Sequence, residues 1–163
     1  MLSRKGLNMS DEFKISLAQL NATVGDLSGN TQKVMEAWEI ARDQRSDLIA
    51  FPELFITGYN PQDLILKTAF QKAATSSIDQ IAKACAQGPA IAIGGPFYDE
   101  NKLYNSYYIL ADGKIQAVIK KHHLPNEEVF DEVRLFSSGN VDGPFQIGKM
   151  RIGSPICEDA WHT

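Results

Sequence analysis

Apolar and polar residues alternate near the start of the chain, where Phe13, Ile15 and Leu17 interleave with Lys14 and Ser16. That period of two predicts a strand over residues 13–19. The stretch from Asn21 to Gly29 is rich in Gly, Asp, Ser and Asn and predicts a loop. Asn30 is then placed to cap a helix whose apolar face is Val34, Ala37, Trp38 and Ala41. Asp47 to Phe51 is a short apolar run ended by Pro52, and helical patterns follow to about Ala86. Ala90 to Ile93 predicts another strand, closed by Gly94-Gly95-Pro96. Beyond Phe97 the pattern changes to paired strands. Tyr104 to Leu110 and Lys114 to Ile119 meet at Ala111-Asp112-Gly113, and Gly143 to Ile147 and Met150 to Ile156 meet at Gly148-Lys149. Alternating strands and helices followed by hairpins predict a mixed sheet covered by helices, the α/β layered class.

Composition narrows the partners. With 163 residues, 44% of them hydrophobic and 22% charged, the chain has the balance of one ordinary globular domain. A net charge of -4 without a basic cluster argues against nucleic acid. No apolar run approaches the roughly 20 residues that span a bilayer, and the first residues lack a secretory core, so a cytoplasmic location is expected, away from membranes. Residues 1–12 are expected to be a disordered extension, with Met9 as an alternative start. Residues 13–163 are expected to be the domain itself. Cys85 and Cys157 stand 72 positions apart, without the close pairing of zinc sites or redox dithiols. Cys85 shares a helical face with Ile78, Ile81 and Ala82, which predicts simple burial.

Three segments carry candidate chemistry. Glu53 follows an apolar strand and Pro52, at the strand edge where open α/β sheets bind ligands, although a helix cap or solvated loop acid fits the same position. Lys121 follows the strand 115–120, so its long side chain can reach the same edge; a solvent-exposed lysine is the alternative, and Lys120 is its decoy. His122 and His123 have strand-like spacing that aims them at opposite faces, and no third ligand follows at a familiar interval, so no metal is expected. Cys157 ends the run 150–156, before Glu158-Asp159-Ala160-Trp161, the pattern of a strand-to-helix elbow. Such an elbow exposes the sulfur and leaves free N–H groups, including that of Glu158, for an oxyanion. A buried strand-end cysteine is the alternative. A neighbouring lysine favours the reactive thiolate, and a carboxylate can accept its proton.

Taken in order, these segments resemble the nitrilase, or carbon-nitrogen hydrolase, superfamily, and within it the glutaminase domains of glutamine-dependent NAD synthetases. Phe51-Pro52-Glu53-Leu54-Phe55-Ile56-Thr57-Gly58-Tyr59, continuing through Asp63-Leu64, resembles the family's glutamate motif. Lys121-His122-His123-Leu124-Pro125-Asn126 resembles its lysine motif, and Ile156-Cys157-Glu158-Asp159-Ala160-Trp161 its nucleophile motif. The resemblance runs from Phe13 to the end and implies a layered α-β-β-α sandwich of which about the first half is present.

The resemblance also implies roles. Glu53 is the general base, Lys121 holds the oxyanion, and Cys157 attacks the side-chain amide of glutamine to form a thioester that water cleaves to glutamate. Phe130-Asp131-Glu132-Val133-Arg134-Leu135-Phe136 resembles a segment whose glutamate supports the triad, which makes Glu132 a fourth candidate beside the alternative of a surface carboxylate. Tyr59 and Glu158 are candidate substrate contacts, with packing and helix-start roles as alternatives. Many relatives carry a tyrosine after the lysine motif; this chain has Glu127-Glu128. The glutaminase step needs no cofactor. In the family its ammonia passes to a C-terminal synthetase domain, absent from this chain, where ATP and Mg serve the amidation of nicotinic acid adenine dinucleotide to NAD. A homo-oligomer is expected for the full enzyme, and weak or no glutaminase activity for this chain alone. A noncatalytic remnant or binding fragment and a piece of a stand-alone nitrilase-type amidase are the alternatives.

Overall fold

The computed structural model describes residues 12–162, so the expected extension lies outside the described residues but for Glu12, as does Thr163. Strand β1 (Ile15–Leu17), helix α1 (Leu27–Asp43) and strand β2 (Leu48–Ala50) follow in order. A short 3-10 turn over Gln62–Leu66 leads into helix α2 (Thr68–Ala84) and strand β3 (Ala90–Asp99). Then come β4 (Lys102–Ala111), β5 (Lys114–Lys120), the single turn α3 (Glu132–Leu135), and the strands β6 (Phe145–Ile147) and β7 (Met150–Ile152). Among the described residues no helix is long and apolar enough to cross a membrane.

Five strands form one sheet in the order β1-β2-β3-β4-β5. The first three are parallel, as their helical crossovers require, and β3, β4 and β5 pair antiparallel. Asp112 and Gly113 both adopt positive φ in the β4–β5 turn, the conformation that tight hairpins select. Helices α1 and α2 cover one face: Val34, Trp38, Ile78 and Ile81 pack with Ile49, Ile91, Ile93 and Tyr108. Cys85 belongs to this core, 5% exposed, with its Sγ 3.5 Å from Met35 Sδ. The β6–β7 pair covers the other face, where Phe145, Ile147 and Ile152 pack against Leu48, Ala92 and Ile109. Helices, sheet and hairpin are thus three layers of the sandwich among the described residues.

Three local expectations change. Helix α1 starts earlier than Asn30: Asp26 accepts from Gly29 N at 2.8 Å and caps it. Asn30 is buried inside the helix, where its Nδ2 donates to Thr23 O and Ile56 O at 2.8 and 3.1 Å, because a buried amide must find partners. Strand β3 runs through Gly94-Gly95-Pro96 instead of stopping there. β2 pairs with it only as far as Ala92, so Pro96 lies where no strand needs its missing N–H. In place of a strand, the chain around Glu53 crosses at Gly94, where an added Cβ would lie 2.1 Å from Leu54 N and 2.7 Å from Glu53 Cα. Finally, β7 ends at Ile152, so residues 153–156 are extended chain outside any strand.

Candidate active site

Backbone contacts aim Glu53 and Lys121 at one another from opposite ends of the sheet edge. Phe51 N donates to Ala92 O at 2.8 Å, and the Tyr107 hydroxyl donates to Phe51 O, fixing the chain just before Pro52 and Glu53. Lys121 N donates to Asn105 O at 2.9 Å, which extends the β4–β5 ladder by one residue and directs the lysine across β4. Its Nζ donates to Glu53 Oε1 at 2.6 Å and to Glu132 Oε1 at 2.9 Å. Lys121 is fully buried, Glu132 nearly so, and the Glu53 side chain retains 16% exposure. Neither the solvated lysine nor the surface reading of Glu132 describes these positions. Lys120, the decoy, lies outside, paired with Asp99 at 3.0 Å and resting over Tyr104.

Burial opposes the charge of Lys121, yet Glu53 and Glu132 together outweigh it and hold its pKa above the usual lysine value. The charged ammonium is therefore the favoured form. Burial also pushes the Glu132 carboxyl up, against the hydrogen bonds from Lys121 and Asn105, with the charge of Glu53 adding to the rise. Tyr59 is held strongly upward by burial and then by the charges of Glu53, Glu132 and Cys157, which keeps its hydroxyl a neutral donor in the field of the site.

Cys157 opens a 3-10 turn, Cys157–Trp161, with a φ of 47°, the left-handed region that a branched or bulky residue rarely adopts. The elbow therefore joins extended chain to a 3-10 turn, not strand to α-helix. Cys157 is exposed, and its thiol pKa is raised, by partial desolvation of the sulfur first and then by the charge of Glu53, against a lowering by Lys121. The lowering by Lys121 is outweighed, first by desolvation and then by Glu53, so the thiol is favoured over the thiolate. The thiol of Cys157 thus lies within hydrogen-bonding reach of the Glu53 side chain. Glu158 accepts from or pairs with His162 Nε2 at 3.0 Å, on the turn's outer side.

Two residues escaped the sequence reading. Asp159 ties the nucleophile turn to the lysine segment: it accepts from His123 N at 2.7 Å and His122 N at 3.2 Å, and from Ile156 N at 3.3 Å. Asn105, wholly buried on β4, donates to Glu53 Oε1 at 2.6 Å. Its signal was available: Asn105-Ser106 is a polar pair inside an aromatic strand, which burial makes costly without partners. His122 and His123 do not face opposite ways. They lie past the end of β5, where the pleat no longer alternates them, and their rings meet edge to face at 4.6 Å. Among the described residues no group of three His, Cys, Asp or Glu side chains is disposed to hold a metal ion.

The model of the carbon-nitrogen hydrolase family matches residues 14–163. The chain is 49% identical over 154 residues to a glutamine-dependent NAD(+) synthetase of Rhodobacter capsulatus, covering 94% of this chain and 28% of that protein. It is 38% identical over 150 residues to the enzyme of the same name from Thermotoga maritima, covering 92% and 26%. Among solved structures, the glutamine-dependent NAD+ synthetase of Acinetobacter baumannii superposes with a TM-score of 0.86 at 36% identity, over 91% of this chain and 28% of that one. An amidase from Nesterenkonia sp. AN1 shares the fold, with a TM-score of 0.73 at 22% identity over 86% of this chain and 55% of that one. The chain thus spans little more than a quarter of the length of the synthetases it matches.

Proposed function

The chain belongs to the carbon-nitrogen hydrolase family, and on that footing we propose that it is the glutaminase portion of a glutamine-dependent NAD synthetase. The observation that carries the reading is a buried ammonium bridging two carboxylates beside an exposed cysteine, in a chain 49% identical over 154 residues to an enzyme of that name. Cys157 Sγ adds to the carboxamide carbon of glutamine while Glu53 takes the thiol proton. The oxyanion is stabilised by the Lys121 ammonium and the Glu158 N–H. Collapse of the adduct breaks the C–N bond, Glu53 returns the proton to the departing nitrogen, and ammonia leaves a thioester. Water, deprotonated by Glu53, then attacks the thioester and frees glutamate and the thiol. Glu132 holds Lys121 from its far side. Tyr59 contributes a neutral hydroxyl to substrate binding, and Glu158 a carboxylate for the α-amino group once it leaves His162. Glutaminase chemistry itself uses no cofactor; the ammonia serves an ATP- and Mg-dependent amidation in a synthetase portion outside this chain, in an oligomeric enzyme of the cytoplasm.

The test is release of glutamate from glutamine by the whole natural polypeptide that carries this sequence, beside Cys157→Ala and a panel of other small amides. Loss of release in Cys157→Ala, with glutamine the preferred substrate, is the expected result. Faster turnover of another amide points instead to an amidase of different substrate, and release that survives Cys157→Ala overturns the assignment of the nucleophile. For this chain alone we infer weak turnover, because it spans little more than a quarter of the synthetases it matches. Robust Cys157-dependent release by the chain alone overturns that inference.

A further inference from the structure

Four side chains close a ring at the base of the site, and only one of them is neutral. Lys121 Nζ donates to Glu53 Oε1 at 2.6 Å and to Glu132 Oε1 at 2.9 Å. Asn105 Nδ2 completes the circuit, donating to Glu53 Oε1 at 2.6 Å and to Glu132 Oε2 at 3.3 Å. Two features make this amide more than filler. Its Oδ1 is buried with no partner among the described residues, a loss that a buried acceptor tolerates only where the rest of the group is needed in place. The opposite flip is excluded by charge, since it would set Oδ1 against both carboxylates. In addition, the nitrogen donors of Lys121 and Asn105 both land on Glu53 Oε1, so neither occupies Oε2.

We propose that Asn105 is a positioning residue of this site: its amide nitrogen turns the Glu53 carboxylate so that Oε1 is saturated and Oε2 is the oxygen that takes the Cys157 proton. The amide also shares its two N–H bonds between carboxylates that would otherwise have only Lys121 between them. Because a hydrogen bond to a carboxylate favours its charged form, Asn105 supports the charge of Glu132 while fixing both side chains. The Asn105 hydrogen bond accordingly opposes the rise of the Glu132 pKa. The proposal rests on the amidase reading for its consequence, though not for its geometry.

Two titrations on the whole natural polypeptide test it, with Asn105→Leu as the variant of matching shape and Ser106→Ala as the control on the same strand. The first is the pH dependence of Cys157 alkylation by iodoacetamide, which reads the thiol beside its carboxylate without any turnover. Asn105→Leu is expected to move the alkylation midpoint up by about one pH unit, since the thiolate then forms beside less compensated charge. The second is turnover of glutamine: kcat is expected to fall roughly 10- to 100-fold, KM to stay within about twofold, and the acid limb of kcat/KM to move up. Ser106→Ala is expected to move neither midpoint. A lower kcat with both midpoints unchanged reduces Asn105 to packing and overturns the proposal. Should Asn105→Leu not fold, Asn105→Ser decides by the same alkylation midpoint: an upward shift supports the role and an unchanged midpoint ends it. If the alkylation shift appears while the wild type fails to release glutamate, the glutaminase reading falls and the role of Asn105 stands. If the alkylation midpoint is unchanged while glutaminase activity is intact, the role of Asn105 falls and the glutaminase reading stands.

Discussion

Lys121 lies wholly inside the protein between Glu53 and Glu132, whereas Cys157, which responds to the same Glu53 carboxylate, sits exposed on a short turn. The buried corner is built from the ends of β2 and β5 with α3 closing behind it, and every charged group there has a partner. Backbone bonds brace it from several sides: Gly139 N donates to Lys121 O at 2.8 Å, Ser137 N to Leu103 O at 2.7 Å, and Glu132 N to Pro125 O at 3.2 Å. The nucleophile turn follows a two-stranded sheet separate from the main one and reaches the corner through the Asp159 carboxylate and the buried side chain of Ile156. Glu53 and Lys121 are thus held by the sheet, while the Cys157 turn is held by Asp159, by the packing of Ile156 and by the stacking of His162 on His123 at 4.0 Å. That division suits the reaction proposed above, in which Glu53 and Lys121 keep a fixed geometry and the sulfur accommodates addition and release of an acyl group.

The largest effect expected from breaking this contrast comes from the buried side. Lys121→Met keeps the stem of the side chain and removes the ammonium, leaving two carboxylates buried without a cation. Such a loss costs about 3–5 kcal/mol near neutral pH, read as a lower urea midpoint, and abolishes turnover. Its pH dependence has a definite sign. The Glu132 pKa is already raised, chiefly by burial, so the folded state binds that proton more tightly than the unfolded chain does. Stability from this group is present at low pH and is lost as pH rises through the raised value. Removing Lys121 raises that value further, so the penalty of Lys121→Met should be larger at about pH 8 than at about pH 5. A penalty that does not change between these conditions means that the carboxylates are not the groups Lys121 compensates.

Asp159 tests the other side. Asp159→Ala removes the acceptor of three backbone N–H groups: those of His122 and His123, which join the turn to the lysine segment, and that of Ile156, which caps the turn itself. Part of the carboxylate is exposed and water can replace it, so a stability loss of only about 1–2 kcal/mol is expected. Turnover should fall much further than stability, because Cys157 is no longer held at φ 47° beside Glu53. Asp159→Asn, which retains an acceptor oxygen, should recover part of the activity. Equal stability losses in Asp159→Ala and Lys121→Met dissolve the contrast and make the turn part of the core.

The contrast also separates what was legible in the sequence from what was not. Helix faces such as Val34, Trp38 and Ala41, and the Asp112-Gly113 turn, depend on residues close in sequence, so periodicity and turn chemistry find them. Glu53, Lys121 and Cys157 were legible as ordered motifs, each beside a strand end or turn. Strand β3 beyond Ile93 was not, because whether Gly94-Gly95-Pro96 can stay extended depends on which edge of the strand is empty, a fact of distant pairing. Asn30 looked like a cap for a similar reason: its partner Ile56 O lies 26 positions away. Asn105 and Asp159 belong to the same class. Their roles are set by Glu53, 52 positions distant, and by His123, 36 positions distant: the polar Asn105-Ser106 pair in an aromatic strand marks a need for partners, but local pattern does not say which.

The two cysteines offer the mildest test of the contrast. Cys157 should react with a small thiol reagent in the native protein, while Cys85 should react only as fast as the helices open, which mass spectrometry of partly labelled protein can resolve. Cys85 also leaves a mark on stability. Burial, helped by the charge of Glu39, pushes its thiol from the usual 9.0 up to about 11. Between those values the unfolded chain has lost the proton and the folded protein has kept it, so the stability that Cys85 contributes is whole below pH 9 and drains away as pH rises toward about 11. Cys85→Ala should therefore flatten the decline of the urea midpoint across that interval. A residual slope is expected from Tyr107 and Tyr108, whose hydroxyls are also held upward by burial. If Cys85→Ala leaves the slope intact while Cys157→Ala removes it, then the turn is the more deeply buried of the two regions and the division between a fixed base and a lightly held nucleophile fails.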